Sequence, residues 1–170
     1  MLLFGNLVSL AGCILMVAIG FVRKKERVLT LQCFQFGLLG AANLILGATS
    51  GFVSGLVSIA RNLIFPRVGG GLWLKLIFMN AQLVLTVLAG MDGPLSLLPL
   101  FAGVLFTWFI DVRSDVQLKA VIIVAQLLWA VYDLCYRNYV AFGFDILTIG
   151  ANAMGIWLLL RQEPFREKEK

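Results

Sequence analysis

The chain has 170 residues, of which 61% are hydrophobic and only 14% charged, and its mean hydropathy is +0.95. A soluble domain carries about 25% charged residues, so this composition excludes a water-soluble globule and indicates an integral membrane protein. The net charge of +5 lies in no segment long enough to form a nucleic-acid-binding domain. It is better explained as a signal that sets membrane topology.

The use of histidine and cysteine narrows the chemistry. The sequence contains no histidine, so the commonest metal ligand and the commonest general base are both missing. Cys13, Cys33 and Cys135 lie in apolar runs without a CxxC motif, and we expect them to be small buried hydrophobic side chains. A GxxxxGK[ST] phosphate loop is also absent. We therefore expect no metal, no cofactor and no direct coupling to ATP.

Seven apolar runs can be read between the charged residues and the Gly or Pro breaks. A helix needs about 20 apolar residues to cross a membrane. The predicted spans cover about 2–22, 28–47, 50–65, 72–90, 94–111, 118–137 and 139–160. The first run is followed, not preceded, by its basic cluster "RKKER" and lacks a cleavage site, so we expect it to remain in the mature protein. Pro99 lies within the fifth span and predicts a kink or hinge there.

Basic residues are distributed very unevenly between the two sides of these spans. When the loops are assigned alternately, all of the 14 lysines and arginines except Arg137 fall on one side. The positive-inside rule then places the N-terminus outside and the C-terminus in the cytoplasm. Arg61 and Lys75, near the cytoplasmic edge, are interpreted as anchors that extend their charges to the interface.

An internal repeat relates the first three spans to the last three at an offset of 90 residues. Matched positions include Arg23 with Arg113, Leu38 with Leu128, Leu44 with Leu134, Phe52 with Phe142, Ile59 with Ile149, Asn62 with Asn152, Asn43 with Asp133 and Ser58 with Thr148. A tight turn around Gly47 falls on Arg137. Because each half has three spans and a fourth helix lies between them, the halves share one orientation.

The predicted fold class is an all-α polytopic membrane protein. Its seven transmembrane helices form two parallel three-helix bundles joined by a linker helix, a 3+1+3 arrangement. The predicted units are a first bundle at 1–67, the linker helix at 68–92, a second bundle at 93–161 and a cytoplasmic tail at 162–170.

Polar side chains recur at helical spacing inside the spans and predict a polar pathway between the bundles. Such residues are costly in a membrane and usually face a bundle interior or a water-filled cavity. The candidate substrate-binding residues are Asn62, Asn152, Trp129, Asp145, Asn80, Ser58 and Thr148. Trp129 lies on the polar face of helix six, where its ring could stack on a flat substrate.

Two of the polar groups have competing interpretations. Asp133 lies one helical turn from Arg137, so this pair could be a proton relay or a local salt bridge. Asp145 has no basic residue within one turn, which favours a functional role for its carboxyl group. Asn and Gln side chains can also serve only to hydrogen-bond neighbouring helices, for about 1 kcal/mol or less each.

The segments "GNLVSLAGCILMVAIGFVRKKERVL" and "GLVSIARNLIF" resemble the YgjV-type bacterial inner membrane proteins over nearly the whole chain. That resemblance implies a relation to the SWEET, PQ-loop and PnuC vitamin-transporter group, which is built as three helices, a linker and three more. In SWEET transporters an Asn on the third helix of each half lines the substrate cavity, which corresponds here to Asn62 and Asn152. The Pro-Gln dipeptide of the PQ-loop group is absent, because Gln32 follows Leu and Gln35 follows Phe.

These observations predict a transporter that moves a small polar metabolite by alternating access and could be coupled to protons. The sequence leaves open a sugar, a vitamin, a nucleoside or an amino acid as the substrate. A membrane receptor or assembly scaffold without transport is the alternative. An enzyme is disfavoured, because no nucleophile, base or metal motif is present. The expected partners are the lipid bilayer and the metabolite, with no nucleic acid, and the chain could also form homo-oligomers.

Overall fold

The computed structural model describes residues 1–19, 25–69, 71–90, 93–112 and 114–166, with side chains omitted for 25–29, 115 and 162–166. Seven α-helices are present in these ranges, as predicted. They are α1 (Leu2–Ile19), α2 (Lys25–Ile45), α3 (Thr49–Val68), α4 (Leu72–Leu88), α5 (Leu97–Trp108), α6 (Asp115–Cys135) and α7 (Tyr139–Arg166). The repeat partners Arg23 and Arg113 and the end of the predicted tail, 167–170, lie outside the described residues.

Three helices are long and apolar enough to cross a membrane: Leu2–Ile19, Val116–Cys135 and Tyr139–Arg161. Three shorter apolar helices cover Thr30–Ile45, Leu72–Leu88 and Pro94–Trp108. The third helix, α3, belongs to neither set because it carries several polar side chains, and most of these are buried inside the protein. The chain is therefore an all-helical membrane protein in which α3 carries most of its polar side chains in the interior.

Consecutive helices pack together in each half of the chain. Helix α2 packs on both α1 and α3, and α6 packs on both α5 and α7. Helix α4 contacts α3 and α5, and so connects the two groups. The halves also pack on each other directly, α1 on α7 and α3 on α5.

The turns after α2 and α6 are the same structure, which confirms the predicted match between Gly47 and Arg137. Both residues have a positive φ, 81° at Gly47 and 59° at Arg137. The N–H of Ala48 donates to the Asn43 carbonyl at 2.7 Å, and the N–H of Asn138 donates to the Asp133 carbonyl at 2.8 Å. These are the six-residue bonds of a Schellman helix end, in which the left-handed residue satisfies the last carbonyls.

Two local predictions need correction. Pro99 is only the third residue of α5, because a short 3-10 turn, Pro94–Ser96, precedes that helix. A proline in the first turn removes no helical hydrogen bond, so no kink or hinge follows from it. Of the cysteines that were expected to be buried, Cys13 is buried, Cys33 is intermediate and Cys135 is exposed. Cys135 is the last residue of α6, where the chain leaves the interior.

Candidate functional site

A cavity of about 260 Å³ lies between the two halves of the chain. Its lining comes from α1, α2, α3, α5, α6 and α7. Many lining positions are related by the 90-residue offset: Met16 with Phe106, Gln32 with Ile122, Gln35 with Ala125, Phe36 with Gln126, and Ser58 with Thr148. One buried water takes about 10–15 Å³ of such space. The cavity can therefore hold a small metabolite.

A second, smaller chamber of about 60 Å³ adjoins the first. The two share a wall that consists of Met16, Gln35, Phe36, Gln126 and Trp129. The small chamber reaches the ends of α2 and α6, where Asn43, Asp133 and Asn138 line it. The larger chamber extends toward the opposite end of the helices, where α1 ends at Ile19.

Several of the sequence-predicted residues line these chambers. Ser58, Thr148 and Asn152 face the large chamber, and Trp129 borders both. The Nδ2 of Asn152 donates to the carbonyl of Thr148 at 2.8 Å, and the Thr148 hydroxyl donates to the Phe144 carbonyl at 2.8 Å. Each side chain thus uses a donor to bond its own helix and keeps an oxygen that can accept a hydrogen bond.

Asn62 and Asn80 are placed differently. Asn62 is buried beside the large chamber but is not part of its lining. Its Nδ2 donates to the Oε1 of Gln32 at 3.0 Å, and its Oδ1 accepts from the Nε of Arg61 at 3.3 Å. Asn80 is exposed on α4, and its Nδ2 donates to the carbonyl of Leu76 at 2.8 Å. The symmetric positions 62 and 152 therefore have different surroundings.

Arg61 lines the large chamber, and its interpretation as an interfacial anchor is wrong. Its side chain is only 3% exposed. One Nη donates to the hydroxyl of Thr107 at 3.3 Å, and the guanidinium lies 4.9 Å from the centre of the Phe106 ring. The sequence did carry a signal, since Arg61 follows Ser58 by three residues and so shares its helix face. Lys75, in contrast, is ion-paired with Asp111 near the helix end.

Two carboxyl groups meet in the small chamber. Asp133 and Asp145 are both buried, and both line this chamber. The Nε2 of Gln126 donates to Asp145 Oδ1 at 2.9 Å, whereas the buried Oδ2 has no hydrogen-bond partner among the described residues. Two carboxyl groups in one small chamber can hold one shared proton, because two nearby negative charges repel strongly.

Asp133 takes its side-chain hydrogen bond from Asn138, whose Nδ2 lies 3.3 Å from its Oδ1. The same Nδ2 lies 3.4 Å from Oδ1 of Asn43, the repeat partner of Asp133. The side chain of Arg137 is exposed, and its backbone carbonyl accepts from Asn6 at 3.2 Å. Asn138 thus joins the ends of α2 and α6 at the narrow end of the small chamber.

At this end each half also forms hydrogen bonds with the start of the third helix of the other half. The hydroxyl of Tyr132 accepts from the N–H of Gly51 at 2.8 Å and bonds the Ser50 hydroxyl at 2.9 Å, at the start of α3. The Oδ1 of Asn6 accepts from the N–H of Val140 at 3.2 Å, at the start of α7. The first N–H groups of a helix have no partner within the helix, so these contacts stabilise the packing of the two halves at this end. Sequence patterns do not predict these contacts, because they join residues far apart in the chain.

Apolar helices around a cavity with several polar side chains in its lining define the chain as a helical membrane protein. The family model described as bacterial inner membrane protein (Imp-YgjV) matches residues 3–163. The chain belongs to this family, and its location is the bacterial inner membrane. No curated protein and no solved structure shows significant similarity to it.

Proposed function

We propose that this protein is a transporter, without enzymatic activity, that moves a small polar metabolite across the inner membrane. The observation that supports this most strongly is the two-chamber cavity, which is narrow at one end, where side chains from both halves line it, and wider toward the other. In this proposal the narrow end is closed. A cavity of this form is what alternating access requires of one of its end states. Asn152, Ser58, Thr148 and Trp129 are the proposed substrate contacts.

The proposed architecture is the 3+1+3 arrangement, with bundles at 1–67 and 93–161 and a linker at 68–92. Under the 90-residue offset, the α1–α7 contact corresponds to the α5–α3 contact, as expected for two halves related by a two-fold axis. The repeated Schellman turns and the paired lining positions support the same relation. They also support a kinship with the SWEET, PQ-loop and PnuC group.

The positive-inside distribution supports an outside N-terminus, so the closed end would face outward and the large chamber the cytoplasm. In this proposal the structure is the inward-facing state. Transport then requires the contacts of Asn138, Tyr132 and Asn6 to break as the bundles rock, while new contacts close the cytoplasmic end.

Asn152→Ala is expected to abolish uptake while the protein still inserts, because it removes the amide that lines the large chamber on α7. The substrate would first be identified by a thermal-shift screen of the purified protein against metabolites, and uptake would then be measured in proteoliposomes. Met154→Ala, at an exposed position of the same helix, is the matched control and keeps wild-type uptake. Normal transport by the Asn152 variant would exclude Asn152 as a substrate contact. A metabolite that stabilises the wild type but is not transported would favour a receptor.

The carboxyl pair is proposed to couple transport to protons. Asp145→Asn keeps an oxygen for the Gln126 hydrogen bond but removes the proton site. We expect uptake driven by a pH gradient to fall to the level seen without a gradient, whereas substrate exchange at equal pH continues. Gradient-driven uptake that survives in this variant would exclude Asp145 as the coupling group.

A further inference from the structure

Arg61 is a buried cation whose described partners are all neutral. Its Nε and one Nη donate to Asn62 Oδ1 at 3.3 and 3.4 Å, and the other Nη donates to Thr107 at 3.3 Å. In the part of the chain whose side chains are described, the acidic residues are Asp111, Asp133 and Asp145. Asp111 pairs with Lys75, and the other two lie in the small chamber.

A charge in this position is costly. A guanidinium stays protonated in proteins, and a buried ion needs a counter-charge to offset the loss of its hydration. The Phe106 ring face, 4.9 Å away, offsets only part of that loss. Neutral hydrogen bonds hold the group in place without balancing its charge. None of the described side chains therefore balances the charge of Arg61 at this wall of the chamber.

The guanidinium of Arg61 also has N–H groups that these hydrogen bonds do not use. Arginine has five N–H groups in a planar fork, and the hydrogen bonds to Asn62 and Thr107 use three of them. Arg61 belongs to the lining of the large chamber together with Ser58, one turn earlier on α3. Two N–H donors and a nearby hydroxyl suit a carboxylate, which accepts hydrogen bonds through both of its oxygens.

We propose that the large chamber binds a small organic monocarboxylate whose carboxylate pairs with Arg61; this rests on the transport function proposed above. The carboxylate of the ligand supplies a negative charge that none of the described side chains supplies to Arg61. A carboxylate is favoured over a phosphate dianion because Arg61 supplies one positive charge. A second negative charge would face the carboxyl pair of Asp133 and Asp145 in the adjoining chamber. The body of the ligand would extend toward the aromatic rings of Phe106 and Trp129.

The test compares acids with their neutral amides on purified full-length protein in detergent. The probes are lactate, benzoate and phenylacetate, each beside lactamide, benzamide or phenylacetamide, with glycerol 3-phosphate as a phosphate probe. Thermal shifts give apparent affinities at matched ionic strength. We expect at least one acid to bind the wild type about 10-fold or more tightly than its amide, since charge-assisted hydrogen bonds are about twice as strong as neutral ones.

Substitutions at Arg61 assign that preference to the guanidinium. Arg61→Gln should weaken binding of the acid about 10- to 100-fold and leave binding of the amide nearly unchanged. Arg61→Lys should retain part of the preference, because it keeps the charge and loses the fork. Arg67→Gln is the control, because it removes the same charge from an exposed site later in α3, where Arg67 donates to the Leu63 carbonyl. This variant should bind the acid as tightly as the wild type does.

Three results would overturn the proposal: equal binding of acids and amides, no acid that stabilises the wild type at 10 mM, or tighter binding of glycerol 3-phosphate than of every acid. An acid preference that persists in Arg61→Gln would overturn it as well. Liposome flux separates the two levels of inference. If an acid binds through Arg61 but is not transported, the anion site is supported and the transport function is rejected. If a neutral metabolite is transported equally well by the wild type and by Arg61→Gln, the transport function is supported and the anion site is rejected.

Discussion

Gly51→Val is expected to lower the thermal midpoint of the purified protein by roughly 10 °C or to prevent folding. A Cβ at position 51 would lie 2.6 Å from Asn43 Nδ2 and 2.8 Å from Tyr132 Cε1. Both neighbours are buried and hydrogen-bonded, so neither can move freely. Displacing Tyr132 would also break its bonds to Ser50 and to the N–H of Gly51. Overpacking and lost hydrogen bonds together cost about 3 kcal/mol or more, which sets the size of the shift.

The control for this change is Gly143→Val in α7, because a Cβ there meets nothing within 4 Å. It should leave the midpoint unchanged or raise it slightly, because valine has a higher helix propensity than glycine. The repeat also suggests a compensating double substitution. The positions equivalent to Gly51 and Tyr132 under the 90-residue offset are Ala141 and Ala42. Gly51→Ala combined with Tyr132→Ala should be less destabilised than the sum of the single changes. Additive effects would show that the ring does not set the requirement for glycine.

The sequence predicts the helices and the repeated turn well, because both depend on local chemistry. The length of an apolar run predicts where a helix crosses the membrane. Gly47 predicts a residue with left-handed conformation at the end of α2. The offset then locates the same turn at Arg137, although arginine seldom adopts a positive φ. A residue that lacks glycine's freedom takes this conformation because the surrounding hydrogen bonds demand it.

The surroundings of individual side chains were much less predictable. Asn62 and Asn152 occupy equivalent places, yet Asn62 is held between Gln32 and Arg61 while Asn152 lines the chamber. The difference arises because position 61 is Arg and its repeat partner, position 151, is Ala. Near a predicted helix end, an arginine suggests an interfacial anchor. Its burial depends on where α5 places Thr107 and Phe106, and a single-helix pattern does not contain that information.

Asn138→Ala is expected to open the closed end of the cavity. The Nδ2 of Asn138 bonds Asn43 and Asp133, and its Oδ1 accepts from the N–H of Ala141 in the first turn of α7. The substitution removes a helix cap, which lowers stability in either state. It also leaves buried polar groups of Asn43 and Asp133 without the Asn138 amide in the closed state alone, at a cost of about 2 kcal/mol to that state. If the protein alternates between two states, that cost shifts their ratio about 30-fold. The fold itself should survive, since the equivalent residue of the first half is Ala48.

Cys13 reports this opening directly, because it is buried and lines the small chamber behind Asn138. With Cys33 and Cys135 replaced by alanine, a membrane-impermeant maleimide applied from the side of the α2–α3 turn should label Cys13 at least about 10-fold faster in the Asn138→Ala variant. Asn138→Ser separates the two roles of the side chain. Its hydroxyl can still cap α7 but is too short to join Asn43 to Asp133, so it should recover thermal stability and still label fast. Slow labelling in both variants would mean that this end does not open, and alternating access through it would have to be abandoned.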